Sequence, residues 1–82
     1  MKIQVLGTGC MKCNKLFSEV EQAIAQAGVS AELSKVERVD EIVKFGVAFT
    51  PGLVIDGEVK SQGKVPSLEQ IAAWISEAAS KQ

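Results

Sequence analysis

The sequence predicts an α/β domain of element order βαβαββα, a four-stranded mixed sheet flanked by three helices. Three observations carry this expectation. Two long segments repeat apolar residues every three or four positions, as amphipathic helices do. Short apolar runs bounded by glycine, proline or Asp-Gly stand around them, as strands do. The 82 residues hold no repeat, linker or low-complexity run, so residues 1–82 are expected to form one domain.

Ile3, Val5 and Leu6 make the first strand, which ends at Gly7-Thr8-Gly9. From Cys13 onward, Leu16, Phe17, Val20, Ile24 and Ala27 form a helical stripe, with Glu19, Glu21, Gln22 and Gln26 between them; Gly28 stops it. Ala31, Leu33 and Val36 read as a second strand, parallel to the first through a right-handed crossover. Asp40 is expected to cap a short helix that Gly46 ends. Leu53-Val54-Ile55 and Glu58-Val59-Lys60 flank Asp56-Gly57, a signal for a two-residue hairpin turn. Ser67 and Gln70 form a capping box before the stripe Leu68, Ile71, Ala72, Ile75, Ala78 and Ala79. Trp74 is expected at the edge of the core. A chain this short buries only somewhat more than roughly 60% of its unfolded surface, so nearly all these apolar positions are needed.

Composition narrows the function. With 46% hydrophobic and 23% charged residues the chain is of globular type. Nine Lys/Arg against ten Asp/Glu leave a charge of −1, without the basic excess of a nucleic-acid binder. There is no His, so Ser-His or Cys-His catalysis cannot be built from this chain alone. The start, Met1 to Gly7, is too short for a signal-peptide core of roughly 7–15 apolar residues. No stretch approaches the roughly 20 apolar residues of a membrane span, and a cytoplasmic location is expected.

Cys10 and Cys13 are then the most reactive groups. A bridge between residues so close in sequence closes almost no loop and stabilises little through the unfolded chain. A redox or metal role is the stronger reading. Cys10 is expected at the tip of the first helix, where unsatisfied N–H groups and partial positive charge favour a thiolate, with Lys12 and Lys15 nearby. Cys10 would attack a disulfide and Cys13 would resolve the mixed disulfide. Met11 and Lys12 are candidate substrate contacts, the alternative being solvated residues of a helix start. A closed zinc site needs four ligands, which two thiols and no His do not supply. Copper(I), or another soft heavy metal held by the two thiolates, stays open as the alternative function. No cofactor is called for.

The second feature is Phe49-Thr50-Pro51-Gly52, just before Leu53. Pro51 either simply opens a strand, where its missing N–H does no harm, or follows a cis peptide bond.

Taken together, the Cys-x-x-Cys after the first strand, Thr50-Pro51 opening the third, the hairpin and the last helix resemble the thioredoxin-like fold. The Gly-Thr-Gly-Cys entry and Thr-Pro-Gly-Leu-Val-Ile-Asp-Gly are most similar to small thioredoxin-like redox-active disulfide proteins, often described as glutaredoxin-like. The resemblance runs from about Lys2 to Ala79. It implies a thiol–disulfide oxidoreductase, a protein-disulfide reductase or electron carrier, with Cys10 and Cys13 as catalytic residues. It also implies a cis Pro51 against the cysteines, Thr50 contacting an extended substrate, and Gly63 in a loop near the site. The partners implied are protein disulfides and, as electron donor, a dithiol protein or flavin-dependent reductase; a monomer is expected. The chain departs from ordinary thioredoxins, which resemble Trp-Cys-Gly-Pro-Cys at the site, and Ile3–Leu6 carries no acid in place of their buried aspartate. A heavy-metal-binding family resembles Gly-Met-x-Cys-x-x-Cys, but here Thr8 replaces that methionine and the chain ends on a helix.

Overall fold

The alternation in β1 (Lys2–Leu6) decides the architecture, because it sends Ile3 and Val5 to one face and Gln4 and Leu6 to the other. Ile3, Val5 and Leu6 are all buried, so both faces of the strand must be covered. The computed structural model describes residues 1–80 and shows how. After β1 come α1 (Met11–Ala27), β2 (Glu32–Val36), α2 (Val39–Lys44), β3 (Gly52–Ile55), β4 (Glu58–Gln62) and α3 (Leu68–Ser80).

The sheet order is β2-β1-β3-β4. β2 runs parallel to β1, while β3 pairs antiparallel with both β1 and β4, which makes the sheet mixed. β3 is buried at every position, which is why its sequence is continuously apolar instead of alternating. One core joins Ile3, Val5, Leu53 and Ile55 to Leu16, Val20 and Ala23 of α1 and Ile71 and Ile75 of α3. The second core, on the opposite face, joins Leu6, Val36 and Val54 to Ile42 of α2 and to Val47. Trp74 packs, partly buried, against the first.

The turns follow from backbone chemistry. Asp56 and Gly57 have φ of 50° and 81°, the left-handed pair that a two-residue hairpin demands. The Lys2 backbone N–H donates to Asp56 Oδ1 at 2.8 Å, and the Asp56 N–H donates to the Lys2 carbonyl at 2.7 Å, so the hairpin is pinned to the start of β1. At the head of α3 the Ser67 hydroxyl accepts from the Gln70 N–H at 3.2 Å. Ser61, by contrast, is buried with its hydroxyl unpaired.

Two expectations need correction. Asp40 does not cap α2. The helix begins two residues earlier than such a cap implies, at Val39, with Arg38 as the N-cap and no side-chain cap bond. Asp40 falls inside the first turn, where its charge suits the helix dipole, and it pairs with Arg38 Nε at 3.3 Å. The stripe of α1 also shifts: Leu16, Val20 and Ala23 are fully buried, Phe17 and Ile24 pack partly, and Ala27 is exposed. Seventeen helical residues reach about 25 Å and five strand residues about 17 Å, so the last turn overhangs the sheet. Among the described residues no helix is long and apolar enough to cross a membrane.

Candidate active site

α1 starts on a sulfur. Cys10 is its N-cap, with φ −69° and ψ 165°, and Cys10 Sγ accepts from the Cys13 N–H at 3.2 Å. Its carbonyl accepts from the Asn14 N–H at 3.0 Å. Gly9, at φ +85°, makes the turn from β1 into this helix in a conformation L side chains disfavour. Cys10 and Cys13 are joined by a disulfide across one helical turn, with their Cα atoms 5.1 Å apart. The two sulfurs sit in different surroundings: Cys10 is exposed, whereas Cys13 retains 5% of its accessible surface. When reduced, a Cys10 thiolate would face the free N–H groups of the helix start, which favour negative charge. Met11 is 89% exposed and Lys12 is also exposed.

Behind Cys13 lies Gly7, which the sequence marks as the end of a strand and the start of the Gly-Thr-Gly-Cys entry. A Cβ on Gly7 would overlap Cys13 Sγ. The Gly7 N–H donates to the Val36 carbonyl at 2.9 Å, which holds this backbone in place beside β2.

The register brings the proline segment to the same end of the sheet. Leu6 pairs with Gly52, so Pro51 stands level with Gly7 in the neighbouring strand. The Thr50-Pro51 peptide is cis, Pro51 is buried and Thr50 is exposed. The Pro51 carbonyl accepts from the Gly63 N–H at 2.9 Å, and Gln62 Oε1 accepts from the Ala48 N–H at 3.0 Å. Gly63 has φ +77°, and a Cβ there would stand 3.1 Å from Phe49 Cβ, so both left-handed backbone and close approach call for glycine. Phe49 itself is 69% exposed beside Thr50. Phe49 belongs to the motif the sequence marks, but the exposure of its ring at this end is a structural finding.

A crevice of 10 Å³ opens beside Cys13, lined by Val5, Gly7, Gly9, Asn14, Lys35 and Glu37 as well. Lys35 comes there because β2 runs parallel to β1 with Val5 opposite Lys35, and Glu37 follows two residues later on the same side. That register is a tertiary fact, and no local sequence signal carries it. A roomier cleft of 260 Å³, lined by Gln4, Val36, Glu41, Lys44 and Phe45, lies on the other face of the sheet.

Among the described residues no group of three or more His, Cys, Asp or Glu is gathered to hold a metal ion. What the arrangement offers chemically is exchange, with one exposed sulfur at a helix tip bonded to one covered sulfur a turn further in.

Comparison with known proteins agrees. Residues 1–76 match the family model described as "Thioredoxin domain". A thioredoxin of Methanothermobacter thermautotrophicus is 41% identical over 76 residues, 93% of this chain and 99% of that protein. One from Methanocaldococcus jannaschii is 42% identical over 69 residues, 84% of this chain and 79% of its own length. With a disulfide at the tip of α1 and this sheet beneath it, the chain belongs to the thioredoxin domain family and is a thiol–disulfide oxidoreductase.

Proposed function

We propose that the chain is a protein-disulfide reductase in which Cys10 attacks and Cys13 resolves. The observation that carries this reading is the contrast in exposure, Cys10 open to a partner and Cys13 at 5%. Only an exposed sulfur can meet a disulfide held in another protein, whereas the covered one reaches Cys10 without leaving its place. Cys10 Sγ attacks a substrate sulfur and forms a mixed disulfide. Cys13 Sγ then attacks Cys10 Sγ, the internal disulfide forms, and the substrate leaves as a dithiol. Two electrons pass to the substrate in each cycle.

Thr50 and Pro51, with Met11 and Lys12 across the same end, form the docking surface in this proposal. The exposure of Met11 and Thr50 supports it, as does the buried ring of Pro51 beneath Thr50. An extended segment would lie along this end with its disulfide over Cys10. The proposed setting is a cytoplasmic monomer that forms one domain, re-reduced by a dithiol protein or a flavin-dependent reductase.

Reduction of insulin disulfides by dithiothreitol, with and without the protein, tests the roles. Cys10→Ser is expected to abolish catalysis, while Cys13→Ser still forms a mixed disulfide and stalls there. If Cys13→Ser blocked the first attack and Cys10→Ser did not, the assignment would be reversed. Tight copper(I) binding in a chelator competition, with no reductase activity, would instead favour a metal carrier.

A further inference from the structure

The segment from Val47 to Pro51 is anchored at its ends and bare in the middle. Val47 keeps 5% of its surface and packs in the second core, and Pro51 is buried, whereas Ala48, Phe49 and Thr50 are all exposed. Burial does little to fix the course of three consecutive exposed residues, so hydrogen bonds must do it. Among the described residues one hydrogen bond reaches the backbone of Ala48, Phe49 or Thr50, and it comes from a side chain. Gln62 Oε1 accepts from the Ala48 N–H at 3.0 Å, across fourteen positions of sequence. Gln62 is the last residue of β4 and pairs with Gly52, so its side chain springs from a paired strand. Gly63 follows at once and donates its N–H to the Pro51 carbonyl at 2.9 Å. The end of β4 thus grips the segment on both sides of Thr50, at Ala48 through a side chain and at Pro51 through the backbone.

We propose that Gln62 is a positioning residue for protein substrates, its amide holding Phe49 and Thr50 in the course that receives an extended disulfide-bearing segment. The proposal rests on the docking surface assigned above to Thr50, Pro51, Met11 and Lys12. Docking onto a segment already held in place avoids the ordering cost of docking onto a loose one. Gln62 therefore acts on affinity for a protein and not on the exchange itself, because its bond goes to the Ala48 backbone and not to a cysteine. One atom carries the role. Glutamate keeps an acceptor oxygen at the same reach, whereas alanine has none.

Reduction of insulin by the full chain, set against its reaction with a chromogenic aryl disulfide, tests the role. Insulin presents a chain to lie along the segment; the aryl disulfide does not. Gln62→Ala is expected to raise KM for insulin about three- to tenfold, the worth of one hydrogen bond, with kcat changed by less than about twofold. Its rate with the aryl disulfide should stay within about twofold of wild type. Gln62→Glu should restore KM to within about twofold, because a carboxylate accepts the same N–H. An unchanged KM for insulin in Gln62→Ala overturns the proposal. So does a parallel loss on both disulfides, which would mark a general structural role, and so does a Gln62→Glu variant no better than Gln62→Ala. Thr50→Arg, which sets a bulky charge on the docking surface, separates this proposal from the reading beneath it. If Thr50→Arg leaves KM for insulin unchanged, the docking surface is misplaced and Gln62 has nothing to position. If Thr50→Arg raises KM and Gln62→Ala does not, the role of Gln62 alone falls.

Discussion

Gly7 and Cys13 are packed so closely that the glycine Cα has no room for a substituent. A Cβ there would overlap Cys13 Sγ and stand 3.0 Å from Cys13 Cβ. The end of the first strand is thus the floor under the covered sulfur. Gly7→Ala must push Cys13 outward or β1 away from Val36, and overpacking of this kind costs about 1–3 kcal/mol. Each kcal/mol lowers the melting midpoint of a domain this size by about 4–8 °C. The displaced Cys13 should also react faster with thiol reagents when reduced. A melting midpoint equal to wild type would show that the floor yields without cost.

Cys10 is both the exposed sulfur and the cap of α1, through the Cys13 N–H. The two roles separate under reducing conditions. Serine keeps an acceptor at the N-cap and alanine does not, a difference of about 1 kcal/mol. Both variants are expected to lose activity, but in dithiothreitol Cys10→Ala should unfold at lower urea concentration than Cys10→Ser. Identical urea midpoints would remove the cap from the stability account.

Ser61 is buried opposite Leu53 with its hydroxyl unpaired. An unmet buried polar group costs about 1–3 kcal/mol. Ser61→Ala removes the hydroxyl while keeping the Cβ, and it should stabilise the fold by about 1 kcal/mol with reductase activity intact. Thermal unfolding of the two proteins side by side decides it, and a lower midpoint for the alanine variant would refute the prediction.

Phe49 exposes its ring beside Thr50, while its Cβ faces Gly63. Phe49→Ala keeps that Cβ and removes only the exposed ring. If a protein substrate docks on this surface, KM for insulin should rise about tenfold, which is 1.4 kcal/mol. The aryl disulfide, too small to span the surface, should react as before. Equal losses on both substrates would argue against docking at the ring.

Much of the fold was legible along the chain because local physics reports it. Asp56-Gly57 demands left-handed backbone, so the hairpin follows from two residues. The stripes of α1 and α3 repeat at the helical period, and Gly28 ends α1 at φ 65°. The start of α2 was less legible. Asp40 is a good capping residue in isolation, but Ile42 is buried and only Glu37 and Arg38 separate β2 from Val39, so packing starts the helix early. Its Val39 and Val43 are apolar yet exposed, since so short a helix turns only part of its surface to the sheet.

What the sequence by itself determined was the order of elements, the nearness of Cys10 and Cys13 across one helical turn, and the thiol chemistry left when histidine is absent. These depend on neighbours a few positions apart, where backbone geometry and side-chain period act directly. Only the tertiary structure decided that Gly7 backs Cys13, that Pro51 stands level with Gly7, and that Lys35 and Glu37 line the crevice beside the covered sulfur. Those proximities come from strand register, which is set by the burial of whole sheet faces and joins residues tens of positions apart in sequence.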